Sequence, residues 1–206
     1  MIALGADHGG FELKEAIKKH LDENGVEYID CGTYSAESID YAPIAKATCE
    51  DAAAILQYLK QIGSETDNLT FGAEGLPIST EAEAAYIRQM ENTCDEILLI
   101  AKENGKIVGN ASFSRLPRRM HHRGDCGISV LKEYWNRGIG SRLLLEIIRF
   151  AKEHAFEIID LQVRSDNLPA IHLYEKFGFQ KIGTHPAFFK IGGEEISFDY
   201  MCLRIR

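Results

Sequence analysis

Two glycines one residue apart, Gly138 and Gly140, follow Asn136 and Arg137 and stand directly ahead of a long helical pattern in "EYWNRGIGSRLLLEIIRFAKEH", Glu133 to His154. The first amides of a helix have no partner within it, and the helix dipole places partial positive charge at the same end. Together they form an anion site made of backbone. Glycine has no Cβ, so a phosphate can come close to the chain, and Arg137 offers a charge-assisted contact. A P-loop needs Lys and then Ser or Thr after its glycines, where this chain has Ser141-Arg142; the dinucleotide fingerprint needs a third glycine where Leu143 stands. Neither nucleotide motif fits.

The other side chains with chemical reach are Tyr174, in "NLPAIHLYEKFGF", the carboxylates of Asp125 and Glu133, and a basic run of Arg115, Arg118, Arg119, His121, His122 and Arg123. That run reads as a solvated loop, or as a contact for a ribose phosphate or an acidic acceptor. Its two histidines lack further ligands at metal spacing, so no metal is expected. Trp135, Phe177 and Phe179 read as core aromatics.

These residues need elements to hold them. The strand "CGISVL" feeds the glycine turn, and Leu143, Leu144, Ile147, Ile148 and Ala151 recur with the period of a helix that buries one face. Upstream, "EILLIAK" and "KIVGNASFS" flank Asn104-Gly105, a pair suited to the positive φ angles of a type I′ hairpin turn. Two helices precede that hairpin, "EDAAAILQYLKQIG" and "STEAEAAYIRQMEN", the first introduced by Thr48 and Asp51 as a cap. After the glycine turn come a strand "IIDLQVR", a short helix "LPAIHLYEKFG", and a closing hairpin from Ala187 that turns at Gly192-Gly193. The opening residues read strand, glycine turn, helix, strand, which is a β-α-β unit with parallel strands.

Composition bounds the partners. The chain has 206 residues, 45% hydrophobic and 26% charged, with a formal net charge of −8. That charge argues against nucleic acid or an anionic membrane surface as a partner. Five dispersed cysteines, Cys31, Cys49, Cys94, Cys126 and Cys202, read as reduced thiols. With no apolar run of membrane-spanning length and no signal-peptide pattern, the expected location is the cytoplasm.

The stretch from Ile44 to the C-terminus resembles the GNAT superfamily of acyl-CoA N-acetyltransferases, on strand "GISVL" before R-G-x-G and, one strand later, "VRSDNLPAIHLYEKFGF". The resemblance implies an α/β fold: a mixed, mostly antiparallel central sheet with splayed central strands and helices on both faces. It implies acetyl-CoA as co-substrate, with its pyrophosphate on the amides of Asn136, Arg137, Gly138, Ile139, Gly140 and Ser141. The pantetheine arm would bond Ile128, Ser129 and Val130 like an added strand, with Asn167 also on the arm. Tyr174 matches the family tyrosine near the sulfur, where it would donate a proton. The base is left between Asp125 and Glu133, directly or through water. Gln162 stands where some ribosomal-protein N-terminal acetyltransferases carry a glutamate, and Trp135 where the family often has Gln or Arg. The implied acceptor is a primary amine: a small amine, an amino acid or a protein N-terminus. A non-catalytic acyl-CoA binder is the alternative, and a homodimer is possible.

Residues 1–43 resemble the start of type B ribose-5-phosphate isomerase, on "GADHGGFELK" and "DCGTYS". Asp7 and His8 match sugar-phosphate contacts of that family. The remainder of that family's site is missing from the sequence, so no isomerase activity is expected; sugar-phosphate sensing is a weaker alternative. A lone β-α-β fragment buries little, so it is expected to pack on the acetyltransferase body or pair with another chain.

Overall fold

A computed structural model describes residues 2–4, 10–30 and 42–205. Two compact units divide the chain, one made of Met1–Tyr41 with Asn136–Gly138 and the other of Ala42–Trp135 and Ile139–Arg206.

In the first unit β1 (Ile2–Leu4) and β2 (Tyr28–Asp30) pair in parallel around α1 (Phe11–Glu23). The helix ends where Gly25 takes φ +66 and its N–H returns to the Asp22 carbonyl at 3.1 Å, the left-handed exit that glycine permits. Lys14, 3% exposed, donates to Asp30 Oδ1 at 2.7 Å, and Lys18 joins the same carboxylate at 2.8 Å. Asp7, His8 and Cys31 lie outside the described residues.

The second unit runs β3 (Ile44–Lys46), α2 (Ala52–Glu65), α3 (Thr80–Glu91), β4 (Glu96–Glu103), β5 (Lys106–Arg115), β6 (Arg123–Val130), α4 (Ile139–Glu153), β7 (Ile158–Arg164), α5 (Leu168–Lys176), β8 (Gln180–Ile191) and β9 (Glu194–Arg204). The strands form one sheet in the order β3-β4-β5-β6-β7-β9-β8. Every neighbouring pair is antiparallel except β6 and β7, which α4 joins as a crossover. The implied fold class, mixed and mostly antiparallel, is therefore present.

Local chemistry explains the element ends. Asn104 (φ 50) and Gly105 (φ 79) turn β4 into β5, and Gly192 (φ 59) and Gly193 (φ 92) turn β8 into β9, as type I′ turns require. Thr48 and Asp51 form a reciprocal capping box, with Thr48 N–H donating to Asp51 Oδ2 at 2.9 Å. The turn it caps, Cys49–Asp51, is a 3-10 turn that runs into α2.

Alternation along β4 assigns the two faces. Ile97, Leu99 and Ala101 join Leu143, Leu144, Ile147 and Ala151 of α4, while Ile100 joins Ile55, Tyr58 and Ile62 of α2 and Ile87 of α3. Helices thus cover both faces. Phe113 lies 4.7 Å from Phe156 and 6.2 Å from Phe150 between ring centroids. A Cβ on Gly124 would sit 2.2 Å from Phe113 Cζ, so the ring uses the space that glycine leaves. One boundary differs from the sequence expectation: β8 begins at Gln180, well before Ala187. Register shifts between Lys181 and Gly183 and between His185 and Phe189 break its alternation, which hides a strand from pattern reading.

Candidate active site

The ladder between β6 and β7 holds three pairs: Arg123 with Ile158, Gly124 with Ile159, and Asp125 with Asp160. Beyond Asp125 the two strands separate, β6 keeping β5 as its neighbour and β7 keeping β9. Antiparallel bonds alternate from residue to residue, and two of them fix which residues face the gap. Leu131 N–H donates to the Val108 carbonyl at 3.0 Å and Leu116 N–H to the Arg123 carbonyl at 2.9 Å. The odd-numbered residues of β6 therefore bond to β5. Cys126, Ile128 and Val130 turn their main-chain groups toward the gap.

This corrects the expected trio. Ser129 is turned the other way, paired with Asn110 of β5. Its hydroxyl donates to Asn110 Oδ1 at 2.7 Å and lies 2.8 Å from the Tyr58 hydroxyl of α2. Ile128 and Val130 face the gap, and Cys126 faces it with them. Strand residues two apart share an edge, so the sequence excludes three consecutive residues on the gap but does not mark which parity faces it.

A 3-10 turn, Lys132–Tyr134, leads from β6 to the glycines. Asn136 has φ 61 and Gly138 φ 74, an αL geometry that costs an ordinary side chain roughly 1–2 kcal/mol. Among the described residues nothing lies within 4 Å of where a Cβ on Gly138 would stand. At Gly140 a Cβ would be 3.3 Å from Leu173 Cδ2 of α5, so the first glycine leaves open room and the second permits close packing. α4 starts at Ile139, which is buried, and Gly140 and Ser141 fill its first turn. Arg137 is exposed.

Trp135 is not a core aromatic. It is 45% exposed, and its indole N–H donates to the Val130 carbonyl at 2.7 Å; a polar tip with an acceptor in reach keeps the ring at the surface.

Tyr174 lies in α5, is 6% exposed and sits 5.7 Å from Phe179 between ring centroids. Among the described residues its hydroxyl has no hydrogen-bond partner. Burial holds the phenol well above its ordinary pKa, and the nearby Cys126 thiol pushes the same way. Asn167 caps α5, its Oδ1 accepting from Ala170 N–H at 3.3 Å.

Asp125 is half-buried at the point where the gap opens. Its carboxyl is pushed up to about 6, first by burial and then by the charge of Asp160. Asp160 is gripped on both oxygens by Arg123, from Nε at 2.7 Å and Nη2 at 2.5 Å. Among the described residues Asp125 has no such cation. Glu133 is exposed, past the far end of β6; about 17 Å of strand lies between Asp125 and Val130, so the two candidate bases are not brought together. Gln162 is exposed opposite Tyr200 of β9.

The basic run is split by the structure. Arg115 donates from Nε to Asp95 at 2.6 Å and lies 3.6 Å over the Phe156 ring, while Arg123 holds Asp160. Arg118, Arg119, His121 and His122 are exposed on the connection that enters β6, at the end opposite the glycine turn. Among the described residues no group of three His, Cys, Asp or Glu is placed to hold a metal, and no helix is long and apolar enough to cross a membrane.

Comparison with known proteins gives two matches along the chain. Residues 64–179 match the Acetyltransferase (GNAT) family and residues 2–63 the Ribose/Galactose Isomerase family. The second match runs into α2, whose Ile55 and Tyr58 pack with Ile100 and Leu131 within the second unit. The N-alpha-acetyltransferase RimI of Mycobacterium tuberculosis is 36% identical over 96 residues, 46% of this chain and 59% of that protein. The L-amino acid N-acetyltransferase AaaT of Escherichia coli is 36% identical over 106 residues, 50% of this chain and 65% of that one. The chain thus spans under two thirds of these curated relatives. At the front, ribose-5-phosphate isomerase B of Escherichia coli is 60% identical over 40 residues, 19% of this chain and 27% of the isomerase. Among solved structures, a GNAT-family acetyltransferase from Streptococcus pneumoniae is 31% identical with a TM-score of 0.76, covering 79% of this chain and 99% of its own. The yncA structure from Salmonella typhimurium, solved with its cofactor acetyl-CoA, is 21% identical with a TM-score of 0.70, covering 80% and 94%.

Proposed function

The chain belongs to the GNAT acetyltransferase family, preceded by an isomerase-like segment, and from that premise we propose an acetyl-CoA-dependent N-acetyltransferase for primary amines. One observation carries the reading: the β6–β7 ladder stops at Asp125, and the edge it exposes leads straight to the glycine turn.

The residues fit the co-substrate. The first amides of α4, with Gly138 beside open space, suit a pyrophosphate, and Asn136, Arg137, Ile139, Gly140 and Ser141 complete that turn. The main-chain groups of Cys126, Ile128 and Val130 suit the alternating amides of a pantetheine arm, and Asn167, whose Oδ1 is taken by the α5 cap, is assigned to the same arm through its side-chain N–H groups. Acetyl-CoA, when bound, supplies an acetyl group activated as a thioester.

Asp125 takes the proton from the acceptor's ammonium group, so that a neutral amine is presented. A carboxyl near pH 6 is ionised at neutral pH yet basic enough to hold a proton. Tyr174 stays protonated and donates its hydroxyl hydrogen toward the departing sulfur. Glu133 lies too far along β6 from Asp125 to share that step. Amino acids and peptide N-termini, the acceptors named for AaaT and RimI, head the acceptor panel. The domain boundary falls near residues 43 and 44, and no isomerase step is assigned to the front segment.

Calorimetric titration with acetyl-CoA, followed by thiol release against amines, amino acids, polyamines and peptides, tests the proposal. Saturable binding with thiol release for one acceptor class supports it. Binding without release for any amine would leave an acyl-CoA-binding protein instead.

A further inference from the structure

Resting on that reading, we infer that Trp135 is a positioning residue for the coenzyme, acting through its indole N–H on the Val130 carbonyl. Val130 is the last residue of β6 and the last whose main-chain groups face the gap. Its carbonyl would otherwise end the open edge as an unpaired acceptor, but Trp135 Nε1 takes it at 2.7 Å. Val130 is left with only its N–H for a ligand.

The same bond closes a short ring of chain. Lys132 N–H donates to Glu65 Oε2 of α2 at 2.8 Å, Tyr134 N–H to the Leu131 carbonyl at 2.9 Å, and Trp135 N–H to the Lys132 carbonyl at 3.2 Å. The indole bond is the final tie before Asn136 and Gly138 take their positive φ angles. It therefore sets the direction in which the turn leaves the strand, and with it the aim of the α4 amides. A single donor on a rigid ring does this without being buried: the residue is 45% exposed, and its ring is held by the indole bond. The chemistry needed is an N–H at that distance, which phenylalanine cannot supply.

The chain has one tryptophan, which makes a clean substitution available. Biosynthetic replacement by 3-benzothienyl-alanine keeps the bicyclic ring and exchanges N–H for sulfur. Trp135→Phe is the second variant. Both are expected to raise KM for acetyl-CoA three- to tenfold, to change kcat at saturation less than twofold, and to leave the melting temperature within two degrees of wild type. Trp135→Gln, which restores a donor, is expected to recover at least half of that loss. Equal KM in wild type and the benzothienyl protein would overturn the inference, and so would a Gln variant no better than Phe. Coenzyme binding to the wild-type protein is measured first by calorimetry. No binding there rejects the acetyltransferase reading itself, whereas binding unaffected by loss of the N–H rejects only the role of Trp135.

Discussion

Replacing Asp125 by asparagine separates what the carboxylate does for chemistry from what it costs the fold. The rise from an ordinary value of 3.8 to about 6 corresponds to about 3 kcal/mol against the ionised form; partial exposure reduces this to about 2 kcal/mol. The sign follows from proton binding. Between pH 4 and 6 the folded chain holds a proton at Asp125 that the unfolded chain has released, so stability falls as pH rises through that window. The cost is complete above about pH 7. Asp125→Asn should therefore unfold about 4–8 °C higher than wild type at pH 8 and at the same temperature near pH 4. Its activity should move oppositely. Wild-type kcat/KM, read by thiol release, should fall tenfold per pH unit below about pH 6, and the variant should lack that limb and be about 100-fold slower at pH 8. Titration of the amine acceptor is common to both proteins and cancels in their ratio. Wild-type kcat/KM in the variant at pH 8, or an acid limb that persists in it, would refute the assignment; a lower melting temperature at pH 8 would refute the burial argument.

Tyr174→Phe should lower kcat about 100-fold with little change in KM for acetyl-CoA, and should barely change thermal stability, because the lost hydroxyl has no partner among the described residues. Gly138→Ala must hold φ near +74 and places a methyl in the open space of the turn; coenzyme affinity by calorimetry should drop at least tenfold. Asp160→Asn removes the negative charge that helps to raise Asp125 and frees the Arg123 guanidinium beside it, so the acid limb of kcat/KM should move to lower pH.

Much of this architecture was legible because its causes are local. The periodicity of Leu143 to Ala151, the Asn104-Gly105 turn and the Thr48–Asp51 cap each depend on residues a few positions apart. The glycine turn was legible for the same reason. What the sequence concealed depends on where distant strands part. Which of Ile128, Ser129 and Val130 faces the gap follows from the parity set by Leu131 and Val108, two residues with no sequence mark of that pairing. Asp125 gains its character first from burial and then from the charge of Asp160, which lies beyond the whole of α4. Trp135 misled because an apolar ring suggests burial, whereas its N–H finds an acceptor five residues back. Arg115 and Arg123 looked solvated until Asp95, Phe156 and Asp160 were brought beside them by the fold.

The short parallel seam between β6 and β7 also makes the sheet a book of two leaves, β3 to β6 on one side and β7, β9 and β8 on the other. A molecule lodged in the opening adds bonds to the weaker leaf-to-leaf join and binds only the assembled form. Free energy of folding then grows with the logarithm of that molecule's concentration, so the protein's resistance to unfolding becomes a gauge of how much co-substrate surrounds it.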